Sequence, residues 1–448
     1  MKAVVSDKIY LYDWPSGLRD TIKAGLTLPN PLYWVLKRSG NARALYAIKK
    51  EFKYYSEKSN VLVIPRGSIN ALESFIDKKK IPCKIESWFC EDKLTPKFRA
   101  NDSFSWRDYQ IGTTDKILKH DNGVIKLDTA FGKTIVALKL VEATQLKTLI
   151  IVPRSSILDQ FKEESIKFFD YEPGVIQGKI WKIKDITIAS ISTLQQRDLK
   201  DIKNKFGMVI VDECQGAVTD ARLKVIQSFN PSRLYGMSAT PDREDGQGKA
   251  IEFTFGPVII DKVLPQVKPK IFFVDSKTPI LLDEYTDMVS YQIQHPVRNK
   301  IIAEAVHNEV AGRRKVLILT KRIEHYKLIS QMLDSRLAIH EMSSQIKESV
   351  RNDLIKQLRD NTISFDCLLG TFSLLSTGVN IPALDTLIIA GDLKSKILTR
   401  QSAGRILRIF EGKQDPKIID IVDKDNKIFH RQALGRKKFY NEQNWEIC

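Results

Sequence analysis

The chain is expected to be α/β: two blocks in which apolar strands alternate with helices, preceded by a small α+β unit. Three observations carry this expectation. Short apolar runs at 124–128, 147–152, 186–190, 207–212 and 233–238 are separated by helix-length stretches. That is the pattern of a parallel sheet covered by helices. The alternation returns with strands at 315–320, 365–370, 386–390 and 417–422. Finally, 448 residues are too many for one core, so two or three domains are needed.

Before the first block, Lys8–Tyr12 and Asn60–Pro65 read as strands and Ser68–Lys80 as a helix. Ser68 is its candidate cap, and Ile69, Leu72, Phe75 and Ile76 share one face. The stretch Cys90–Ser105 is charged and aperiodic, so it reads as a linker. Pro265, Pro269, Pro279 and Pro296 mark a second one. The expected organisation is therefore an N-terminal unit at 1–95, a first block at 96–265, a linker at 266–300 and a second block at 301–448. The last ends in a basic tail with Arg431, Arg436, Lys437 and Lys438.

Apolar content of 43% supports globular folding, and a formal charge of +17 points to a polyanionic partner, most often nucleic acid. Residues 1–100 hold 19 Lys and Arg against 10 Asp and Glu, so over half of the excess lies there. Five cysteines without a C-x-x-C pair imply neither a disulfide framework nor a zinc site. No apolar run reaches membrane-span length, and the first residues do not resemble a signal peptide. A cytoplasmic protein is expected, with no membrane partner.

Two stretches carry chemistry. Asp128-Thr129-Ala130-Phe131-Gly132-Lys133-Thr134 lies between an apolar strand and a helical pattern. Backbone N–H groups at such a helix start cradle phosphates, Lys133 reaches the β/γ-phosphates, and the Thr134 hydroxyl suits Mg²⁺. Met208-Val-Ile-Val-Asp212-Glu213 delivers two carboxylates at a strand end. One for metal and one for water is what nucleoside triphosphate hydrolysis needs. Together they predict an ATPase using ATP and Mg²⁺, with Asp212 and Thr134 as metal ligands and Lys133 and Glu213 as catalytic groups. Arg405 and Arg408, beside Gly404 in a block lacking its own phosphate loop, are expected to serve the same nucleotide.

With these residues in place, the chain resembles the superfamily 2 helicases, which have two RecA-like domains. Trp106-Arg107-Asp-Tyr109-Gln110 resembles the Q-motif around adenine. Residues 128–134 resemble motif I, Ile151-Val-Pro153 through Gln160 motif Ia, and Thr187–Thr193 the next motif on the DNA track. Asp212-Glu-Cys-Gln215 resembles a DEAH-type motif II, Ser238-Ala-Thr240-Pro241 motif III and Leu317–Thr320 motif IV. Gly370-Thr371 with Thr377-Gly378-Val-Asn-Ile-Pro382 resembles motif V, and Gln401–Arg408 motif VI. The order matches over 106–423.

The resemblance implies further roles. Arg107, Tyr109, Gln110, Thr129, Ala130, Phe131, Gly132 and Gly378 would line the nucleotide. Gln215 and Gln401 would join the catalytic set, and Ser238 and Thr240 would couple hydrolysis to movement. Pro153, Arg154, Ser190, Thr193, Thr320, Lys321 and Thr371 would meet DNA. Two departures are visible: Ala130 stands where Gly is usual, and Gln215 replaces the commoner His.

In the N-terminal unit, Tyr33, Trp34, Phe52, Tyr54 and Tyr55 lie among Lys37, Arg38, Lys49 and Lys50. Such mixtures suit unpaired bases and phosphates, and Lys37 and Arg38 are candidate DNA contacts. Taken alone, Tyr33, Trp34, Phe52 and Tyr54 fit the core of a small domain better. Pro29-Asn-Pro31 and Ile64-Pro-Arg-Gly67 resemble phage branch-migration helicases of the UvsW type and are compatible with XPB-like repair helicases. That resemblance implies a monomeric motor on branched or forked DNA, acting in replication, recombination or repair. The alternatives are an RNA helicase, the motor subunit of a restriction system, and a non-catalytic DNA clamp.

Overall fold

The computed structural model describes every residue except 40–44, 47, 96, 102–109, 129–130, 218, 240–247, 263–266, 280–281, 373–380 and 408–411. It divides into two compact units, 1–264 and 265–448.

The first unit opens with strands β1 (Lys2–Val5), β2 (Lys8–Tyr12), β3 (Thr27–Pro29), β4 (Glu51–Lys53), β5 (Ser56–Lys58), β6 (Val61–Pro65) and β7 (Lys84–Ser87). Five of them form a sheet in the order β5-β6-β2-β1-β7, and β3 pairs with β4 alone. The helix Ile69–Lys79 packs Leu72 and Ile76 on this sheet, as its spacing predicts. Ser68 is not its side-chain cap: Arg66–Ser68 is already a 3-10 turn, and no hydroxyl bond caps the helix.

The α/β block follows with β8 (Asn122–Leu127), β9 (Thr148–Val152), β10 (Gly174–Gln177), β11 (Ile180–Lys182), β12 (Ile186–Ser190), β13 (Met208–Asp212), β14 (Arg233–Ser238) and β15 (Val258–Lys262). Their order is β11-β10-β12-β9-β13-β14-β8-β15, parallel except for the β10–β11 hairpin. Strand β13 shows why these segments are continuously apolar. Met208 and Ile210 enter the core on one face, Val209 and Val211 the core on the other.

Among its described residues, the expected linker Cys90–Ser105 is tied into the block. Cys90 bridges to Pro231 and Lys93 to Leu146, while Leu94 and Phe98 are buried in the block's core. The N-terminal sheet is also welded to the block. Buried Arg66 donates to the carbonyls of Pro231 and, at 2.9 Å, Ser232, and lies 4.2 Å from the Phe89 ring centre. A Cβ on Gly67 would fall 2.4 Å from the backbone nitrogen of Gly256, so only glycine allows this approach.

The second unit contains β16 (Lys270–Asp275), β17 (Val316–Thr320), β18 (Ile339–Met342), β19 (Cys367–Thr371), β20 (Thr386–Ile389), β21 (Lys417–Val422) and β22 (Glu446–Ile447). They form one parallel sheet ordered β18-β19-β17-β20-β21-β16-β22. The expected linker at 266–300 is therefore corrected: β16 pairs with β21 along its whole length, and Pro296 starts the helix Pro296–Ala311. The basic tail is likewise part of the fold. Arg436, on the helix Lys427–Glu442, is buried and grips Asp420 through two hydrogen bonds of 2.6 and 2.8 Å.

Candidate functional site

In the first unit the site assembles where β8 and β13 end. After β8 the chain turns and enters the helix Lys133–Thr144, with Gly132 at its N-cap in a left-handed conformation (φ +86°). The amide of buried Gln110 donates to the Phe131 carbonyl at 2.8 Å. The left-handed φ favours glycine here, and a Cβ would stand 2.7 Å from that amide nitrogen and push the Gln110 side chain aside. This aligns the N–H groups of a helix start with Lys133 and Thr134.

Strand β13, buried along its whole length, carries Asp212 to the same edge. Glu213 follows in a left-handed conformation (φ +48°), unusual for a residue with a Cβ. That twist points it at motif I: its carboxylate lies 3.5 Å from Lys133 Nζ, and it accepts a 2.5 Å hydrogen bond from the Gln215 amide. Asp212 is buried, and one of its carboxylate oxygens has no hydrogen-bond partner. Burial first, then the charge of Glu213, pushes its carboxyl well above the usual range, while Lys133 pulls it back. Perturbation of this kind marks functional carboxylates more often than structural ones. Ser238 is buried at the end of β14, the neighbour of β13.

The bare Asp212 oxygen and the Thr134 hydroxyl fit a hard divalent cation. Among the described residues no group of three or more His, Cys, Asp or Glu side chains could hold a metal alone. The arrangement suits Mg²⁺, which takes few protein ligands and completes its shell with water and substrate phosphates.

Other expected residues divide clearly. Arg107, Tyr109, Thr129, Ala130, Thr240, Gly378 and Arg408 lie outside the described residues. Gln401 is on the helix Lys396–Ala403, which ends at Gly404, so Arg405 lies in the following turn and is buried there. Arg154 caps the helix Ser155–Phe169 in extended conformation, next to half-buried Pro153.

The hydroxyls expected on the DNA track are turned inward. Ser190 and Ser192 share a 2.8 Å hydrogen bond, Thr193 accepts from the Gly178 N–H, and Thr320 donates to the Arg322 carbonyl. Thr320 and Thr371 pair across the ends of β17 and β19, and both are buried. Lys321 reaches Asp392 at 2.7 Å and the Tyr285 hydroxyl at 2.8 Å. Lys37 and Arg38 are exposed on the helix Pro31–Arg38. Sequence reasoning missed Gln160 as a site residue: its amide lies 3.4 Å from the Thr134 hydroxyl, a contact that no spacing between two distant motifs could announce.

Two family models match the chain. "Type III restriction enzyme, res subunit" covers residues 103–243, and "Helicase conserved C-terminal domain" covers 298–410. The chain belongs to the superfamily 2 helicases. This helicase is 29% identical over 338 residues to a probable helicase of Escherichia phage T5, a match covering 73% of each chain. It is 26% identical to the DNA 3'-5' translocase XPB2 of Sulfurisphaera tokodaii, over 72% of this chain and 82% of that one. It is 23% identical to the ATP-dependent DNA helicase uvsW of Enterobacteria phage T4, over 74% of this chain and 71% of that one. The two sheets are RecA-like domains, as the resemblance implies. Among the described residues, no helix is long and apolar enough to cross a membrane.

Proposed function

We propose that this helicase is an ATP-driven DNA motor that remodels forked and branched duplexes. The observation that carries the hydrolysis is the strand-end pair of buried Asp212 and half-buried Glu213, with Glu213 facing the phosphate-loop Lys133. Lys133 takes the β/γ-phosphates, and Asp212 with Thr134 holds Mg²⁺. Held there, the ion would supply positive charge against the phosphates. Glu213 orients the attacking water, and Gln215 fixes the carboxylate that does so. Arg405 and Arg408 supply positive charge to the transferring phosphoryl group. Gln110, with Arg107 and Tyr109, takes the adenine, and Ser238 and Thr240 couple hydrolysis to movement.

The DNA reading is supported by the relatives XPB2, a DNA 3'-5' translocase, and uvsW, an ATP-dependent DNA helicase, and by the basic first hundred residues. The Thr320 hydroxyl is spent on the Arg322 carbonyl, whereas Thr193 only accepts from the Gly178 N–H and keeps its own proton for a phosphate, so Thr193 and backbone N–H groups at the strand ends meet the strand along this track. Such contacts carry no sequence information, which suits a motor.

The test is ATP hydrolysis with no nucleic acid, single-stranded DNA, linear duplex, a fork, a four-way junction and RNA. Stimulation chiefly by fork and junction is expected. Stimulation by RNA alone would overturn the DNA assignment, and equal stimulation by any single strand would overturn branch remodelling.

A further inference from the structure

The helix Pro31–Arg38 buries none of its residues. Trp34 is 39% exposed and Val35 60%, with Leu32 exposed beside them. An apolar patch on so small a domain calls for an occupant. Charge identifies it. Lys37 Nζ lies over the Trp34 ring, 5.3 Å from its centre, and Lys50 Nζ over it at 5.9 Å, so mobile cations from two separate segments rest on one indole, where an incoming base with its phosphates would draw them off the ring. From residue 29 to 58 the chain has seven Lys and Arg against two acids, Glu51 and Glu57. An apolar protein segment would gain little from this cationic frame. A base with its phosphates gains from both parts at once.

The helix is nevertheless held in place. Asn30 caps it by accepting from Leu32 N–H, while its amide donates to the Lys49 carbonyl at 2.7 Å. Its own N–H donates to the Lys50 carbonyl at 3.0 Å. Asn30 thus ties the start of the helix to the Lys49–Lys50 backbone. Tyr54, just beyond β4, packs tilted against Phe253 of the α/β block with ring centres 5.4 Å apart, and Arg66 clamps the chain entering β14. These contacts tie the N-terminal unit to the block that holds Lys133 and Asp212.

We infer that Trp34, framed by Lys37 and Lys50, is a stacking platform for an unpaired DNA base, a fixed anchor for single strand beside the motor. This rests on the DNA-motor reading above. Its test is equilibrium binding of the full chain to fluorescein-labelled oligothymidine and to blunt duplex, followed by anisotropy, for wild type, Trp34→Ala, Trp34→Phe and the double variant Lys37→Gln/Lys50→Gln. Thermal unfolding of each variant checks its folding.

The expected result is about tenfold weaker binding of oligothymidine by Trp34→Ala, most of it restored in Trp34→Phe, with duplex binding nearly unchanged. The lysine variant should weaken binding and flatten its salt dependence. Unchanged oligothymidine affinity in Trp34→Ala would overturn the platform, as would an equal loss on blunt duplex. Stimulation of wild-type hydrolysis by DNA is read in parallel. If it is present while Trp34→Ala binds normally, the platform fails and the motor stands. If it is absent, the DNA reading itself fails.

Discussion

The two sheets of this helicase treat buried acids in opposite ways. In the first, Asp212 ends β13 with a carboxylate oxygen that no donor reaches. In the second, Asp423 follows β21, equally buried, and every donor around it converges. Arg298 reaches it at 2.8 Å, Ser276 at 2.6 Å and the Gln292 amide at 2.5 Å. Burial raises the Asp423 carboxyl, but the Arg298 charge and these donors outweigh it and hold it below the usual range. Asp420 is gripped the same way by Arg436 and Tyr440. Asp212 is left open beside the phosphate loop, whereas Asp423 is fully bonded and acts as a joint. Asp423 joins the end of β16, the helix Tyr285–Gln294 and the helix Pro296–Ala311 to β21.

The largest effect should come from removing the open site's chemistry. Glu213→Gln is expected to lower ATP turnover by about 10²–10⁴-fold, read by phosphate release, with unfolding temperature unchanged. The joint should fail by stability instead. Arg298→Ala leaves Asp423 buried without its cation, and a loss of about 3–5 kcal/mol in the second unit is expected by denaturant titration. Loss of turnover without loss of stability in Arg298→Ala would erase the distinction.

Gly132→Ala sharpens the comparison from the backbone side. The new Cβ meets Gln110 and the left-handed φ becomes strained, costing on the order of 1 kcal/mol at the site alone. Nucleotide affinity should fall about fivefold or more, as read by a fluorescent ATP analogue.

Much of this was legible in the sequence because doubly buried parallel strands are uninterrupted apolar runs. Met208–Asp212 and Val316–Thr320 needed no further context. Strand β16 escaped because Lys-Ile-Phe-Phe-Val-Asp sits between Pro269 and Pro279, and prolines near a strand read as a connector. Cys90–Ser105 escaped because its buried residues, Leu94 and Phe98, are isolated among charges with no periodicity. The motif residues were readable as types, but their partners were not. Thr193 meets the Gly178 N–H fifteen residues back and Thr320 the Arg322 carbonyl two residues on, and neither bond is visible in the residue types alone.

The smallest effect is a pH dependence of the second unit. His325 is buried beside Arg298; burial first, then that charge, holds its pKa well below the ordinary value. The unfolded chain takes up this proton first as pH falls. Stability from neutral His325 is thus complete above about pH 6.5 and drains away below it. The unfolding temperature should fall between pH 7 and 5, and His325→Gln should flatten that slope.

The most direct test of the contrast pairs Asp212→Asn with Asp423→Asn, measuring ATP turnover and thermal unfolding for both. Asp212→Asn should abolish turnover while unfolding at the wild-type temperature or above, because it removes a buried charge that lacks a full set of partners. Asp423→Asn should unfold earlier and keep turnover at low temperature. An Asp212→Asn protein that still hydrolyses ATP, or one that is markedly less stable, would contradict the assignment of the open carboxylate as the catalytic centre.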